Sequence, residues 1–246
     1  MPEPLLIERR ADRVVATLNR PEKRNAIDQD MIDALHALCA ELEADPRTLI
    51  LAGSETVFAG GADIGQLRDR DAADARKAIN ATAFIRINEL PMPVIAAISG
   101  YALGGGAELA YAADLRIASP TLKIGNPETG LGIMAAAGAT WRLPEIVGSA
   151  RASELLLTGR ILNADEALAW GLVSGIHPFD ALLDAAHAMA DRIAANDALA
   201  TRHTKLALRT PRAQHPDIER ELQAELFESD EKHRRMTAFL NRKKKS

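Results

Sequence analysis

Two short segments decide most of what this chain can fold into. Thr48-Leu49-Ile50-Leu51-Ala52 and Met92-Pro93-Val94-Ile95-Ala96-Ala97-Ile98 are apolar runs with no polar alternation. A strand of that kind has both faces buried, as in a parallel sheet covered by helices. Each run leads into a glycine-rich segment, Val57–Asp63 after the first and Ser99–Gly106 after the second. Val14–Leu18 reads as a further strand with a polar turn, Asn19–Asn25, behind it, and Leu115–Ala118 reads as another. Helices are predicted over Gln29–Ala44 and from Ala107 to about Ala113. Val57–Asp63 is too rich in glycine for a regular element, and residues 68–76, charged and alanine-rich, read as exposed helix or mobile loop. The order strand, helix, strand, glycine turn, strand, glycine turn, helix, strand argues an α/β fold. Beyond Pro178 the pattern is wholly helical, with helices predicted at Ala181–Ala195, Leu199–Leu208 and Asp217–Asn241. The change sets one boundary, between an α/β core over 1–178 that holds both glycine-rich segments and a helical region over 179–246.

Composition narrows the function classes. A net charge of −4 supplies no overall field to attract nucleic acid or an anionic membrane. The basic run Arg242-Lys243-Lys244-Lys245 reads as a solvated tail. With aromatics at 4%, the core must be built from Ala, Leu, Ile and Val. The single cysteine, Cys39, excludes an intrachain disulfide and falls on the apolar stripe of the first predicted helix, so a buried structural thiol is expected. Met-Pro-Glu-Pro lacks a signal-peptide layout and no apolar run reaches membrane-spanning length, so the cytoplasm is the default expectation. The six histidines are scattered, with no metal-binding spacing, and no metal is expected.

The glycine turns are where chemistry can sit. Glycine lets a backbone approach a ligand closely and aim its N–H groups at an anion. Gly104-Gly105-Gly106 also opens a helix, whose first N–H groups have no intrahelical partner. Two such N–H groups converging from separate turns would form an oxyanion hole. Tight packing is the bland alternative for either turn. Neither has the G-x-G-x-x-G spacing of a dinucleotide site, and no Gly-Lys-Ser/Thr follows to make a phosphate loop. Glu108 stands in the first turn of the helix that the glycines open, where a dipole-stabilising Glu is common. Glu128 stands in Gly125-Asn126-Pro127-Glu128-Thr129-Gly130, where a solvated loop Glu is the default. Together with the two N–H turns they gain another meaning, because two carboxylates beside an oxyanion hole can divide proton delivery and water activation. No Ser, Cys or His is placed as a competing nucleophile–base pair.

From about Leu5 to Phe239 these segments resemble the enoyl-CoA hydratase/isomerase (crotonase) family. Leu18-Asn19-Arg20-Pro21-Glu22-Lys23-Arg24-Asn25-Ala26 is similar to the family's Asn-Arg-Pro…Asn-Ala signature. That likeness implies that Lys23, Arg24 and Ala26 lie along coenzyme A. Phe58-Ala59-Gly60-Gly61-Ala62-Asp63-Ile64 resembles the Phe-x-x-Gly-Ala-Asp-Ile motif, which implies an oxyanion N–H at Ala62 and substrate contacts at Asp63 and Ile64. Gly100–Leu109 looks like the most specific motif of the family and implies the second N–H at Gly105. Glu108 falls on the glutamate that activates water in the hydratases, and Glu128 on the one that delivers the α-proton. Phe239 and Arg242 align with positions that reach coenzyme A, with Arg242 standing where the family has Lys. Leu156–Arg160 and Ala167–Val173 match family phrases of structural character.

One stretch departs from the family. Its usual Pro-Gly-Ala-Gly-Gly-Thr-Gln-Arg-Leu is here Ala135-Ala136-Ala137-Gly138-Ala139-Thr140-Trp141-Arg142-Leu143. Ala136 replaces a glycine that lines the water side of the hydratase pocket. The resemblance implies a spiral of β-β-α repeats with a helical C-terminal region that assembles trimers, commonly paired into hexamers. It implies reversible hydration of a 2-enoyl-CoA to a 3-hydroxyacyl-CoA, with coenzyme A as part of the substrate and no separate cofactor. A Δ3,Δ2-enoyl-CoA isomerase would use the same hole but needs only one proton-shuttling glutamate. Other acyl-CoA reactions of the superfamily often recruit different acid–base groups. A non-catalytic acyl-CoA or RNA-binding relative has the basic tail as its only support.

Overall fold

Burial on both faces is what the apolar runs achieve. The computed structural model describes residues 3–243, and side chains through residue 241. The strands are β1 (Leu5–Arg9), β2 (Arg13–Leu18), β3 (Thr48–Ala52), β4 (Val57–Ala59), β5 (Val94–Ile98), β6 (Tyr101–Leu103), β7 (Leu115–Ala118), β8 (Lys123–Gly125) and β9 (Ile161–Asn163). They form a five-stranded sheet in the order β1-β2-β3-β5-β7 and a four-stranded sheet in the order β4-β6-β8-β9. Only the β1–β2 and β8–β9 pairs are antiparallel. Every residue of β3 and β5 is buried. Each large aliphatic side chain so removed from water contributes about 1.5–3 kcal/mol.

The helices are α1 (Gln29–Ala44), α2 (Ile64–Arg68), α3 (Ala72–Lys77), α4 (Ile79–Glu89), α5 (Gly105–Ala112), α6 (Ala139–Val147), α7 (Ser149–Thr158), α8 (Ala164–Ala169), α9 (Phe179–Ala194), α10 (Ala198–Arg209), α11 (Asp217–Phe227) and α12 (Asp230–Lys243). Asp28 starts α1 by accepting a hydrogen bond from the Met31 N–H at 3.2 Å, an N-cap that satisfies one orphan donor. Met31, Ile32, Leu35, Leu38, Cys39 and Leu42 form its buried face. Burial pushes the Cys39 thiol up to about 12, so it is inert at neutral pH. The chain divides after Ala190, within α9, into two compact units. The first holds both sheets; the second is helical.

Two expectations need correction. Val57–Ala59 is a strand despite the glycines that follow it, because β6 offers it a parallel partner. Asp217–Asn241 is two helices rather than one. Ser229 breaks it, accepting from the Lys232 N–H at 3.2 Å in the manner of an N-cap while its own hydroxyl donates to the Leu226 carbonyl at 2.8 Å. Three helices, α2, α3 and α4, follow one another between Ile64 and Glu89. The last one, α4, packs Ala83, Phe84 and Ile87 against α1 and α5.

Two features of the first unit position the site. The turn after β2 is fastened to β4 through Asn25, fully buried at φ 51°, whose side-chain amide donates to the Val57 and Phe58 carbonyls at 3.2 and 3.0 Å. Its Oδ1 accepts from the Arg20 N–H at 2.8 Å. Helix α5 meets β4 with no room for a side chain: a Cβ on Gly106 would stand 2.1 Å from the Ala59 carbonyl oxygen. Any residue but glycine there would push the helix start away from the turn that follows β4.

Candidate active site

The two glycine turns meet. β4 runs into Gly60-Gly61-Ala62, and β6 runs into Gly104 at the start of α5. A Cβ built on Gly105 would stand 3.8 Å from the Ala62 nitrogen and 3.9 Å from the Gly61 Cα. Among the described residues, no backbone acceptor takes up the N–H of Ala62 or of Gly105. Both donors are therefore available to a ligand, and their neighbourhood is the arrangement an oxyanion needs. The turn Arg20–Ala26 lies alongside: the Gly60 N–H donates to the Arg24 carbonyl and the Ile27 N–H to the Gly61 carbonyl, at 2.9 and 2.8 Å. Lys23 and Arg24 are exposed next to that junction, while Ala26 is buried. Asp63 caps α2 by accepting from the Gln66 N–H at 3.1 Å, and Ile64 is exposed beside it.

Glu108 lies one turn into α5 and is buried, at 3% exposure. Its Oε1 accepts from two backbone N–H groups, Ala137 at 2.7 Å and Ala139 at 3.1 Å. Burial pushes its carboxyl up to about 7, against the pull of those two donors and of the Arg142 charge, with Glu128 adding to the rise. Gly138, between the two donors, has φ 135°, a conformation that only glycine adopts readily, and it lets both N–H groups point at one oxygen.

Glu128 sits in a short 3₁₀ turn, Pro127–Leu131, immediately behind the glycines. A Cβ on Gly104 would stand 3.0 Å from its Oε1. Asn126 orients it, donating to that oxygen at 3.3 Å and to the Gly104 carbonyl at 3.3 Å, while accepting from the buried Tyr111 hydroxyl at 3.1 Å. The other oxygen, Oε2, is buried with no partner. Burial raises this carboxyl as well. Glu128 borders a cavity of about 300 Å³ walled by Met134, Ala135, Thr140, Pro144, Ser153 and Leu156. Two desolvated carboxylates that sense one another resist simultaneous ionisation, so the pair favours holding one proton. A proton can then be taken by one and given by the other.

The structure thus brings Ala62, Gly105, Glu108 and Glu128 together, with Lys23, Arg24, Ala26, Asp63 and Ile64 alongside the Ala62 turn. Phe239 lies on α12, in the second unit, and is exposed. Arg242 belongs to that helix, but its side chain is outside the described residues. Ala136 is exposed, and its neighbours Ala135 and Ala137 are buried. Reading the sequence missed four participants. Asn126 was in view only as a turn former, Ala137 and Ala139 act through backbone N–H groups that have no residue signature, and Arg142 was seen only as part of a departing stretch. Asn80, on the first turn of α4, also reaches the hole: its Nδ2 would stand 3.4 Å from a Cβ on Gly105, and its Oδ1 is buried without a partner. Among the described residues no cluster of three or more His, Cys, Asp or Glu is placed to hold a metal, and no helix is long and apolar enough to cross a membrane.

Comparison with known proteins agrees with this geometry. The profile of the enoyl-CoA hydratase/isomerase family matches residues 9–246. A short-chain-enoyl-CoA hydratase of Clostridium acetobutylicum is 36% identical over 251 residues, covering 98% of this chain and 95% of that protein. A crotonyl-CoA hydratase of Syntrophomonas wolfei is 36% identical over 253 residues, covering 98% and 96%. Among solved structures, an enoyl-CoA hydratase from Bacillus anthracis superposes with a TM-score of 0.92 at 31% identity, covering 97% of this chain and 96% of that one.

Proposed function

We propose that this chain, which belongs to the enoyl-CoA hydratase/isomerase family, is an enoyl-CoA hydratase. It adds water reversibly across the 2,3-double bond of a 2-enoyl-CoA to give a 3-hydroxyacyl-CoA. The observation that carries this reading is the pairing of two desolvated carboxylates, the buried Glu108 and the half-buried Glu128, behind two uncommitted N–H groups. The thioester oxygen accepts from the N–H groups of Ala62 and Gly105, which stabilises the enolate-like charge that develops as C3 is attacked. Glu108, gripped by two donors that favour its ionised form, takes a proton from the water that adds to C3. Glu128, with Oε2 free to carry a proton, delivers it to C2. Water contributes its hydroxyl to C3, and the proton Glu108 gains balances the one Glu128 gives up. Nothing in this sequence of steps calls for a cofactor beyond the coenzyme A of the substrate.

Lys23, Arg24, Ala26, Asp63 and Ile64 are the contacts proposed for the coenzyme A arm; the roles proposed for Phe239 and Arg242 toward coenzyme A rest on the family resemblance alone. We assign the enzyme to the cytoplasm and to a homo-oligomer, a trimer or hexamer. The exposed Phe227, Met236, Phe239 and Leu240 of the second unit support assembly. A mass measurement at micromolar concentration should give a multiple of three chains, and a monomer would refute the assignment.

The reaction itself is tested with a panel of 2-enoyl and 3-enoyl CoA thioesters. Loss of the 2-enoyl absorbance with formation of the 3-hydroxyacyl product is expected. A protein that isomerises 3-enoyl substrates and adds no water to 2-enoyl ones would be an isomerase instead.

A further inference from the structure

Arg142 is a buried cation that the mechanism above does not use. Its side chain is 6% exposed at the start of α6, and a guanidinium so desolvated must find partners. It finds them in the turn that holds Glu108. Its Nη1 donates to the Ala137 carbonyl at 3.3 Å, and Nη2 to the Phe84 carbonyl of α4 at 3.4 Å. The Arg142 N–H closes the same turn on the Gly138 carbonyl at 2.9 Å. The turn is folded so tightly over the guanidinium that a Cβ on Gly138 would stand 2.0 Å from Nη1. Trp141, where the family usually has Gln, covers it from outside, its ring centroid 5.2 Å from the guanidinium carbon.

The residues that Arg142 fixes on one side, Ala137 to Ala139, are those whose N–H groups reach Glu108 Oε1. On the other side it ties the turn to α4, a helix that packs against α5, on which Glu108 stands. We propose that Arg142 is a positioning residue for Glu108, clamping the Ala137–Ala139 turn to α4 so that two N–H groups stay aimed at the carboxylate, with its charge beside it. The proposal rests on the reading of Glu108 as the base. Three ionisable groups face that carboxyl: Glu128 from the 3₁₀ turn, Tyr111 from the next turn of α5, and Arg142 from α6. Of the three, Arg142 alone favours the ionised form, as a base requires.

Two variants and two readouts test this. In Arg142→Gln the charge and the fork are both lost. Its kcat should fall roughly tenfold at neutral pH, with KM nearly unchanged, and the acid limb of the rate profile should move to higher pH. Arg142→Lys keeps the charge but not the two-pronged grip, so the acid limb should return toward that of the wild type while kcat stays reduced. Independently of turnover, the Glu108 carboxyl can be titrated in the free protein by its infrared band, identified by its loss in Glu108→Gln. That titration should move to higher pH in Arg142→Gln. Because it needs no substrate, it can fail while the hydratase reading stands, or hold while that reading fails. A folded Arg142→Gln protein with the wild-type carboxyl titration and kcat overturns the proposal, as does one that loses only melting temperature. If the Gln variant does not fold, Arg142→Lys decides: wild-type kcat there also overturns it.

Discussion

Glu108→Gln should lower hydration of a 2-enoyl-CoA by roughly 10²–10⁴-fold, the usual worth of a positioned general base. The amide matches the carboxylate in volume, and its oxygen can still accept from the Ala137 and Ala139 N–H groups, now 2.7 and 3.1 Å from Oε1. Packing is therefore preserved, and the loss reports proton transfer. Because the interaction is made as water attacks, kcat should fall and KM should change little. The wild-type rate should decline as the pH falls below about 7, where the carboxyl takes up its proton, and the residual rate of the variant should lack that limb. Stability should move the other way. A carboxyl that ionises near 4.5 in the unfolded chain and near 7 in the fold adds stability that is full below 4.5 and is lost as the pH rises through 7. The ionised group then costs the fold about 3 kcal/mol. The variant, with nothing to ionise, should melt higher than the wild type above neutral pH. A Gln variant with near-wild-type kcat would remove Glu108 from the mechanism.

That opposition between stability and function marks what could be read from the residues alone. β3, β7 and α1 were legible to the residue, because a continuous apolar run or an apolar stripe at helical spacing leaves few alternatives. β6, β8 and β9 were not, since each is three residues long and holds its place only through its partner strands. Helix α4 escaped because it begins straight after Ala78, at φ 50°, with no polar cap to announce it. In the site, the glycines and the two glutamates stood out because their chemistry depends on side-chain type or on its absence. The donors at Ala137 and Ala139 could not stand out: a backbone N–H belongs to every residue but proline, and only the path of the chain aims it. Arg142 was hidden for a related reason. Its role lies in which carbonyls it holds, and those come from segments far apart in sequence.

Glu128→Gln separates hydratase from isomerase. Glu128 meets the cavity with a buried, unpartnered Oε2, and its Oε1 keeps the Asn126 amide at 3.3 Å. The glutamine amide can retain the Asn126 contact through its oxygen but has no acidic proton to give to C2. Hydration should again fall by roughly 10²–10⁴-fold, so that both glutamate variants are crippled in the same reaction. An isomerase moves one proton from C2 to C4 and needs only one carboxylate for the transfer. In that case one variant should lose conversion of 3-enoyl to 2-enoyl substrate and the other keep most of it, while the wild type hydrates poorly. The joint loss is expected here because Glu108 and Glu128 differ in how they are held. Glu108 is anchored by two donors that suit an anion, and Glu128 leaves one oxygen free for a proton. A site that used one carboxylate would gain nothing from partly desolvating the second, at the cost that this carries. If Glu128→Gln hydrates at the wild-type rate, the second proton comes from elsewhere and the two-glutamate mechanism is wrong.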